Sequence, residues 1–459
     1  MSIDIGEIKY YPDRFYIKLD GFNTENLTTF LTDLEIGQDH AIFIHEYYHY
    51  LTNIATLPGI RQFSLNFCDR FRTLTILTMN EGLNAFPISK NTYKSCEDLV
   101  KYWNNTIKIL NEDDINYEVV NETKNALNNK FEIVSIEQEI VPVDLKIEGK
   151  SINGCRIFIK INIVGLLNIH NFRLTFGAMD EFLSSAIDEF LYEHDLSDID
   201  PSLLSKRPFY PYLFFDELLS FYGIKRSTSF EKIVLVYFAL NSANPPSTLI
   251  TILEKLRDGD YDQFTENPEV YLLSNFSEAP QYKNVLESIK LFAEETYQQD
   301  RVHISQALKY YYDKFYIASK LKDDDFFFFI RPFFPFDTTD NFRFKQRFLL
   351  ELSRIVNIFT PPVILKDKKF RYIDKLTSFG EATALIIATY EIFESLNTNR
   401  IATRPKHQKV KYLFPDYDPE CDNIAKFTDL PIYGIVFRIA LNELGLYQRY
   451  LNEQKAKNK

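Results

Sequence analysis

The sequence predicts a mainly α protein, of the α+β class, with one small β element and a helical C-terminal lobe. Residues 39–55 form a largely apolar and aromatic run without glycine or proline, which is typical of a buried helix. Apolar residues recur at helical spacing from 176 to 194 and through most of 209–452. Strand-like alternation is extensive only in residues 131–164, so the sheet is expected to be small.

The length of the chain predicts two packed parts. A single hydrophobic core stops growing at roughly 250–300 residues, and this chain has 459. We expect a first domain at residues 1–207, with a β insertion at about 131–165, and a mostly helical lobe at 208–459 that serves substrate recognition or regulation. The phenylalanine-rich stretch 326–336 is expected to pack in the core or between the two parts.

The first half of the chain is expected to begin with a strand and continue in helices. Apolar and polar residues alternate at 15–20, as on the two faces of a half-buried strand. The helix at 39–55 is expected to end at Leu57-Pro58-Gly59. Two further helices and a surface loop are then expected, at about residues 61–79, 96–110 and 111–130.

Residues 131–164 are expected to form a hairpin of two strands, because apolar residues occur at every second position on both sides of a turn. Two dipeptides could form the turn, Gly149-Lys150 and Asn153-Gly154, and the second suits the left-handed backbone of a tight turn. Pro142 cannot donate to a ladder, which predicts an edge position for the first strand.

Composition and charge exclude several classes of protein. The net charge of −12 argues against nucleic acid as a partner. The four cysteines contain no CxxC pair, which argues against a disulfide framework and a thiolate zinc site and favours a reducing, cytoplasmic setting. The amino terminus lacks the apolar segment of a signal peptide. The longest uncharged run, 233–253, contains two prolines and two asparagines, so no transmembrane helix and no membrane partner are expected.

Within the predicted helix at 39–55 lies a His-Glu-x-x-His motif, formed by His45, Glu46 and His49. At 3.6 residues per turn the two histidines project from one helix face, where their imidazoles can bind a single Zn²⁺. Glu46 lies beside them as a general base that takes a proton from the attacking water and passes it to the leaving amine. The alternative is a pair of core histidines hydrogen-bonded to neighbours without a metal.

A catalytic zinc usually has three protein ligands, and Glu181 is the first candidate for the third. Residues 177–185 read GAMDEFLSS. This segment resembles the third-ligand helix of the thermolysin-like gluzincins, a group of zinc metallopeptidases of the zincin class. The resemblance implies that Glu181 binds the metal and that an acidic residue orients a zinc-bound histidine. This sequence has Ser185 at the position of that acidic residue, and Asp188 is expected to substitute for it from the same helix face.

Other candidates for site residues remain open. Glu381 is an alternative third ligand, because it too begins an apolar helical segment, although a glutamate there is also favoured by the helix dipole. His170 and His194 are candidates in a variant with a third histidine. The residue that stabilises the oxyanion is not identified, and Tyr192 and His194 are among the options.

These observations predict a zinc metalloprotease, a hydrolase that cleaves peptide bonds with metal-activated water. The segment from His45 to Leu51 also resembles that of bacterial His-Glu-Tyr-x-His proteins, which implies a bacterial endopeptidase. A cytoplasmic enzyme of this kind is expected to have narrow protein specificity, as in a toxin or defence effector, and to have a protein partner that activates or inhibits it. The alternative function is a non-enzymatic binding or regulatory protein with a structural metal site.

Overall fold

The computed structural model of the chain describes most of its first three quarters and a few residues near its end. The described residues are 8–11, 15–19, 38–72, 75, 132–147, 150–164, 169–196, 209–224, 226–276, 282–335, 340–361, 363–365, 385, 389, 439–440 and 442–445. Three predictions lie outside the described residues: the helix at 96–110, the loop at 111–130 and the domain boundary near 207.

The fold is mainly α-helical with a small β component, which confirms the predicted class. The α-helices are α1 (Gln38–Ala55), α2 (Leu57–Phe63), α3 (Phe176–Glu193), α4 (Phe214–Phe221), α5 (Ser229–Leu240), α6 (Pro245–Lys255), α7 (Tyr261–Glu266), α8 (Pro268–Asn275), α9 (Tyr282–Gln298), α10 (Val302–Asp324) and α11 (Asn341–Ile358). The strands are β1 (Ile8–Tyr11), β2 (Tyr16–Leu19), β3 (Glu132–Ile147), β4 (Lys150–Val164), β5 (Ile169–Leu174) and β6 (Val363–Leu365). Short π- and 3₁₀-helical segments occupy Ser64–Asp69, Phe209–Leu213, Leu256–Asp260 and Phe328–Phe333.

Helix α1 ends at a bend that brings α2 very close to it. Thr56 caps α2, because its hydroxyl accepts the N–H of Gly59 at 3.2 Å. A Cβ at Gly59 would lie 2.5 Å from Cα of Asn53, so only glycine allows this approach. The prediction that 57–59 terminates the first helix therefore holds only in part, because the same residues begin the next helix. Within the helix predicted over 61–79, the chain is helical from residue 61 to residue 72, because α2 continues into the π-helical segment Ser64–Asp69 and a further helical turn follows.

Helix α3 packs against α1 and runs antiparallel to it. The side chain of Thr175 caps its first turn by accepting the N–H of Ala178 at 3.1 Å. Most residues of α3 are buried, including the polar Asp180, Ser185 and Asp188. Buried polar groups need partners. These two helices therefore position the polar groups of the interior.

A three-stranded sheet of order β1-β2-β6 joins two strands from the start of the chain to the much later strand β6. Strand β1 pairs antiparallel with β2, and Tyr10 lies opposite Ile17. Ile17 lies opposite Val363 in the parallel pair of β2 and β6. The predicted N-terminal strand is therefore present, and β1 lies at the edge of its sheet against α1.

The second sheet has the order β3-β4-β5 and contains the predicted hairpin. Ile147 lies opposite Lys150, so β3 and β4 are joined between these two residues, while Asn153 and Gly154 lie inside β4 opposite Asp144 and Val143. The preference for Asn153-Gly154 as the turn was therefore wrong, because the register of two long strands outweighs one favourable dipeptide. Pro142 lies on the outer strand β3, as predicted. Strand β5 pairs with β4 and was missed by sequence reasoning.

One continuous cluster of buried apolar residues extends from Tyr10 to Leu444. Phe327, Phe329 and Phe333 belong to it, in agreement with the core position predicted for the phenylalanine-rich stretch. Phe333 packs 5.2 Å from the ring of Tyr48 on α1. Of the helices in the described part of the chain, none has both the length and the apolar character to span a bilayer. The division into two domains stays a prediction.

Candidate metal centre

Helix α1 carries both histidines of the motif on one face. His45 and His49 are one turn apart, and their Nε2 atoms lie 3.2 Å from each other. Both side chains are largely buried, with 12% and 9% of their surface exposed. The helical periodicity of an otherwise apolar segment is enough to produce this arrangement.

Helix α3 adds the third group. Glu181 Oε2 lies 3.8 Å from His45 Nε2 and 3.7 Å from His49 Nε2. Among the described residues this is the group of histidines and carboxylates whose ligand atoms could hold a metal ion, and all three atoms lie within 4.8 Å of one another. Tetrahedral zinc with bonds of about 2.0–2.1 Å places neighbouring ligand atoms about 3.3 Å apart. The three observed separations fit such an ion with small shifts.

The burial of the Glu181 carboxylate is a second observation that bears on whether the group fits a cation. Its Oε2 is buried and has no hydrogen-bond partner. A buried carboxylate oxygen without a hydrogen bond is costly, because the nearby imidazoles offset the desolvation of its charge only in part. A cation between this oxygen and the two imidazole nitrogens would remove that cost. The geometry and the unpaired oxygen therefore both fit a metal ion.

A carboxylate of α3 contacts the Nδ1 atom of each histidine, and leaves Nε2 for a metal ion. His45 Nδ1 lies 2.8 Å from Asp188 Oδ2, and His49 Nδ1 lies 2.7 Å from Asp180 Oδ2. In a neutral imidazole each Nδ1–H then donates to the carboxylate, so the lone pair of Nε2 points towards Glu181. The structure thus places Asp188 where the sequence prediction put it.

Asp180 is a site residue that sequence reasoning missed. Its other oxygen, Oδ1, accepts a hydrogen bond from the hydroxyl of Thr52 on α1. The hydroxyl of Ser184 lies 3.4 Å from His49 Nδ1, while the predicted Ser185 is buried on the same helix. The only signal in the sequence was that Asp180 directly precedes Glu181. This signal is weak, because adjacent residues of a helix point to different parts of its surface. Only the crossing of α1 and α3 shows that both side chains reach His49.

The charges of the centre favour a bound cation. Burial alone lowers the pKa of His49, but Asp180 and Glu181 outweigh it and raise the pKa to about 10. Burial also opposes the charge on His45, and Asp188 raises the pKa of that imidazole above its usual value. The carboxylates thus attract a positive charge, which a metal ion can supply in place of protons.

Glu46 differs from Glu181 in its surroundings. Burial raises the pKa of its carboxyl, and the opposing effects of His45 and His49 are smaller. Its Oε2 accepts the backbone N–H of Tyr10 at 2.6 Å. Glu46 is therefore adjacent to the proposed ligands, but one of its oxygens is used by strand β1.

Of the remaining candidates, those within the described residues lie outside this group. Glu381 and the side chain of His170 lie outside the described residues. The ring of His194 lies beyond the end of α3, 4.2 Å from that of Phe190 and 4.8 Å from that of Phe344. Tyr192 lies on the last turn of α3 and is 41% exposed.

Comparisons of the chain with models of protein families, with curated proteins and with solved structures gave no match.

Proposed function

We propose that the protein is a zinc-dependent peptidase. The observation that supports this is the convergence of His45 Nε2, His49 Nε2 and the unpaired Glu181 Oε2 next to a carboxylate that is not part of the group. Two neutral nitrogens and one carboxylate oxygen are a ligand set typical of catalytic zinc. The resemblance of residues 177–185 to the gluzincin helix agrees with the same assignment.

Each residue has a separate role in this proposal. His45, His49 and Glu181 hold the ion, which when bound acidifies a water molecule and polarises the substrate carbonyl. Glu46 accepts the proton of the attacking water and delivers it to the leaving nitrogen. Asp180 and Asp188 fix the two imidazole rings.

Three ligands favour catalysis over a purely structural role. Structural zinc sites are usually closed by four protein ligands, whereas catalytic sites leave one position open. Within the part of the chain that the structure describes, the group contains three ligands. We propose accordingly that the substrate is a protein or peptide, that few proteins are cleaved, and that a partner protein controls the activity in a reducing cytoplasm.

Metal analysis tests the ligand assignment. Protein purified without added metal is expected to contain one zinc per chain, and His49→Ala and Glu181→Ala are expected to lose it. Glu381→Ala serves as the matched control and is expected to retain zinc. A wild type without zinc, or loss of zinc in Glu381→Ala but not in Glu181→Ala, would contradict the assignment.

The role of Glu46 separates an enzyme from a metal-binding protein without activity. Glu46→Gln is expected to keep zinc and fold but to lose activity by about 10²–10⁴-fold, which is the usual contribution of general acid–base catalysis. Activity is measured by mapping new protein termini in a bacterial lysate. If Glu46→Gln cut the same sites at the wild-type rate, peptide hydrolysis at this centre would be excluded.

A further inference from the structure

Strand β1 makes a direct contact with the proposed general base. The main-chain N–H of Tyr10 donates to Oε2 of Glu46 at 2.6 Å, across 36 positions of sequence. Hydrogen bonds between a backbone N–H and a carboxylate are charge-assisted and stronger than neutral ones. The contact therefore restrains the Glu46 carboxylate as well as offsetting part of the cost of burying it.

The donor itself is firmly held. The ring of Tyr10 is 5% exposed and packs edge-to-face on Tyr50 of α1, with ring centres 6.1 Å apart. On the other side, Tyr10 is in register with Ile17, and β2 is in turn paired with β6. The hydroxyl of Tyr50 donates to the carbonyl of Thr360, three residues before β6, at 3.3 Å. The sheet and α1 are thus tied together around the N–H group.

The two glutamates of the centre differ in how their Oε2 atoms are partnered. Glu181 Oε2 is buried without a hydrogen bond, while Glu46 Oε2 is bound to Tyr10. A carboxylate oxygen that already accepts a short hydrogen bond is a poorer metal ligand, because rotation towards the ion would break that bond. The backbone of β1 therefore distinguishes the base from the ligand.

We propose that the Tyr10 backbone N–H positions Glu46 for catalysis, by binding Oε2 so that Oε1 faces the attacking water. This inference rests on the proposed peptidase function and adds a positioning residue to it. Rigid placement of a reacting group contributes to rate because the group does not have to be oriented in the transition state. The side chain of Tyr10 is not the acting group, so the test has to remove the N–H alone.

Two substitutions at position 10 separate the N–H from the ring. Tyr10→Pro removes both, and Tyr10→Ala, the matched control, removes only the ring. Proline is tolerated on an edge strand where the N–H points away from the neighbouring strand, as it does here. In a second variant the amide of Tyr10 is replaced by an ester, using the α-hydroxy analogue of tyrosine, which keeps the ring and removes the N–H.

Turnover and metal content give the expected result. With the internally quenched peptide of a pool that wild type cleaves fastest, Tyr10→Pro is expected to lower kcat at least about tenfold relative to Tyr10→Ala, with KM unchanged within about twofold. The ester variant is expected to lower kcat similarly relative to wild type, and all variants are expected to keep one zinc per chain. Equal kcat in Tyr10→Pro and Tyr10→Ala would overturn the proposal. A higher kcat in Tyr10→Pro would overturn it as well, because the contact would then inhibit catalysis.

A measurement without turnover completes the test. In perdeuterated protein labelled with ¹⁵N-tyrosine, the Tyr10 amide signal, assigned by its absence in Tyr10→Phe, is expected at low field and to move to higher field in Glu46→Gln. An unchanged signal would overturn the proposal whatever the activity. A wild type that lacks zinc and cleaves none of the peptides would instead contradict the proposed function, so the two failures are distinguishable.

Discussion

Helix α1 takes part in two buried polar clusters. They differ in whether their polar groups find hydrogen-bond partners inside the protein. At the C-terminal end of α1, the amino group of Lys322 donates to the carbonyl of Ala55, to Asn241 Oδ1 at 2.9 Å and to the hydroxyl of Tyr282. The Tyr282 hydroxyl also lies 2.9 Å from Asn241 Oδ1. Each of these groups finds its partner inside the protein, and the Lys322 cluster, defined by these four residues, holds α1 against α5, α9 and α10.

In the middle of α1, the candidate metal centre is not closed in this way. Two imidazole nitrogens and Glu181 Oε2 converge, and the carboxylate oxygen has no hydrogen-bond partner. All three are electron-pair donors when the imidazoles are neutral, so they cannot satisfy one another. The comparison teaches that burial of polar groups alone does not indicate a ligand site. We propose that convergence of like acceptors does indicate one, and the following predictions test that distinction.

The largest effect is expected from Glu181→Ala on zinc affinity. Four-ligand zinc sites bind with about 10–16 kcal/mol, or about 2.5–4 kcal/mol per ligand, so the loss of one ligand should weaken binding by about 10²–10³-fold. The metal-free variant is expected to be at least as stable as metal-free wild type, because an unpaired buried oxygen is removed. Competition with a chromophoric chelator gives the affinity and urea denaturation gives the stability. An unchanged zinc affinity would show that Glu181 is not a ligand, and the two clusters would then not differ as proposed.

Lys322→Met is expected to lower the stability of the protein and to leave its zinc affinity almost unchanged. Methionine fills a similar volume but leaves the carbonyl of Ala55 and Asn241 Oδ1 with fewer donors, at a cost of about 2–3 kcal/mol in the free energy of unfolding. Zinc affinity is expected to stay within about twofold of wild type, because the Lys322 cluster contains no ligand. Urea denaturation and the same chelator competition check both values. A large loss of zinc affinity would show that the two clusters are coupled.

Gly59→Ala is expected to disturb the bend that connects α1 to α2. The added Cβ would lie 2.5 Å from Cα of Asn53 and 2.6 Å from the carbonyl oxygens of Thr52 and Asn53, and such overpacking costs about 1–3 kcal/mol or more. Gly177→Ala is the matched control, because its Cβ would meet only Thr175 Oγ1 at 3.9 Å. Thermal denaturation compares the two. Equal melting temperatures would contradict the close approach at Gly59.

Asp180→Asn and Asp188→Asn are expected to weaken zinc binding by about 10–100-fold each. Both remove a charge behind an imidazole while keeping an acceptor oxygen for Nδ1–H. Ser184→Ala is a suitable control, since its hydroxyl lies 3.4 Å from His49 Nδ1 and carries no charge. Chelator competition at fixed pH measures the affinities. If both asparagine variants bound zinc as tightly as Ser184→Ala, the carboxylates would have no role in holding the ligands.

The last prediction concerns pH. Burial lowers the pKa of Lys322 well below its usual value. Between that lowered pKa and the value of about 10.4 in the unfolded chain, the unfolded state binds more protons, so stability rises with pH. Wild type is therefore expected to gain stability relative to Lys322→Met as the pH is raised towards 9.5, in urea denaturation at several pH values. A constant difference between the two proteins would show that burial does not lower this pKa.

The local part of the site could be predicted from sequence. Helical periodicity in an apolar segment places His45 and His49 on one face, because a hydrogen-bonded helix fixes the geometry of residues four apart. The mainly α class was predictable for the same reason. The turn of the hairpin was not, because the pairing of β3 with β4 over fifteen pairs of residues, and not the Asn153-Gly154 dipeptide, determines where the chain reverses.

Contacts between distant residues were decided only by the tertiary structure. Glu181 was a candidate because of a motif, but 132 positions separate it from His49 (181 − 49), and only the packing of α3 on α1 brings its oxygen within 3.7 Å of that imidazole. Asp180 reaches His49 through the same crossing. The N–H of Tyr10 has no signature in sequence, since every residue except proline carries one. Its role depends on where the edge of a sheet meets a helix, and no local pattern encodes that position.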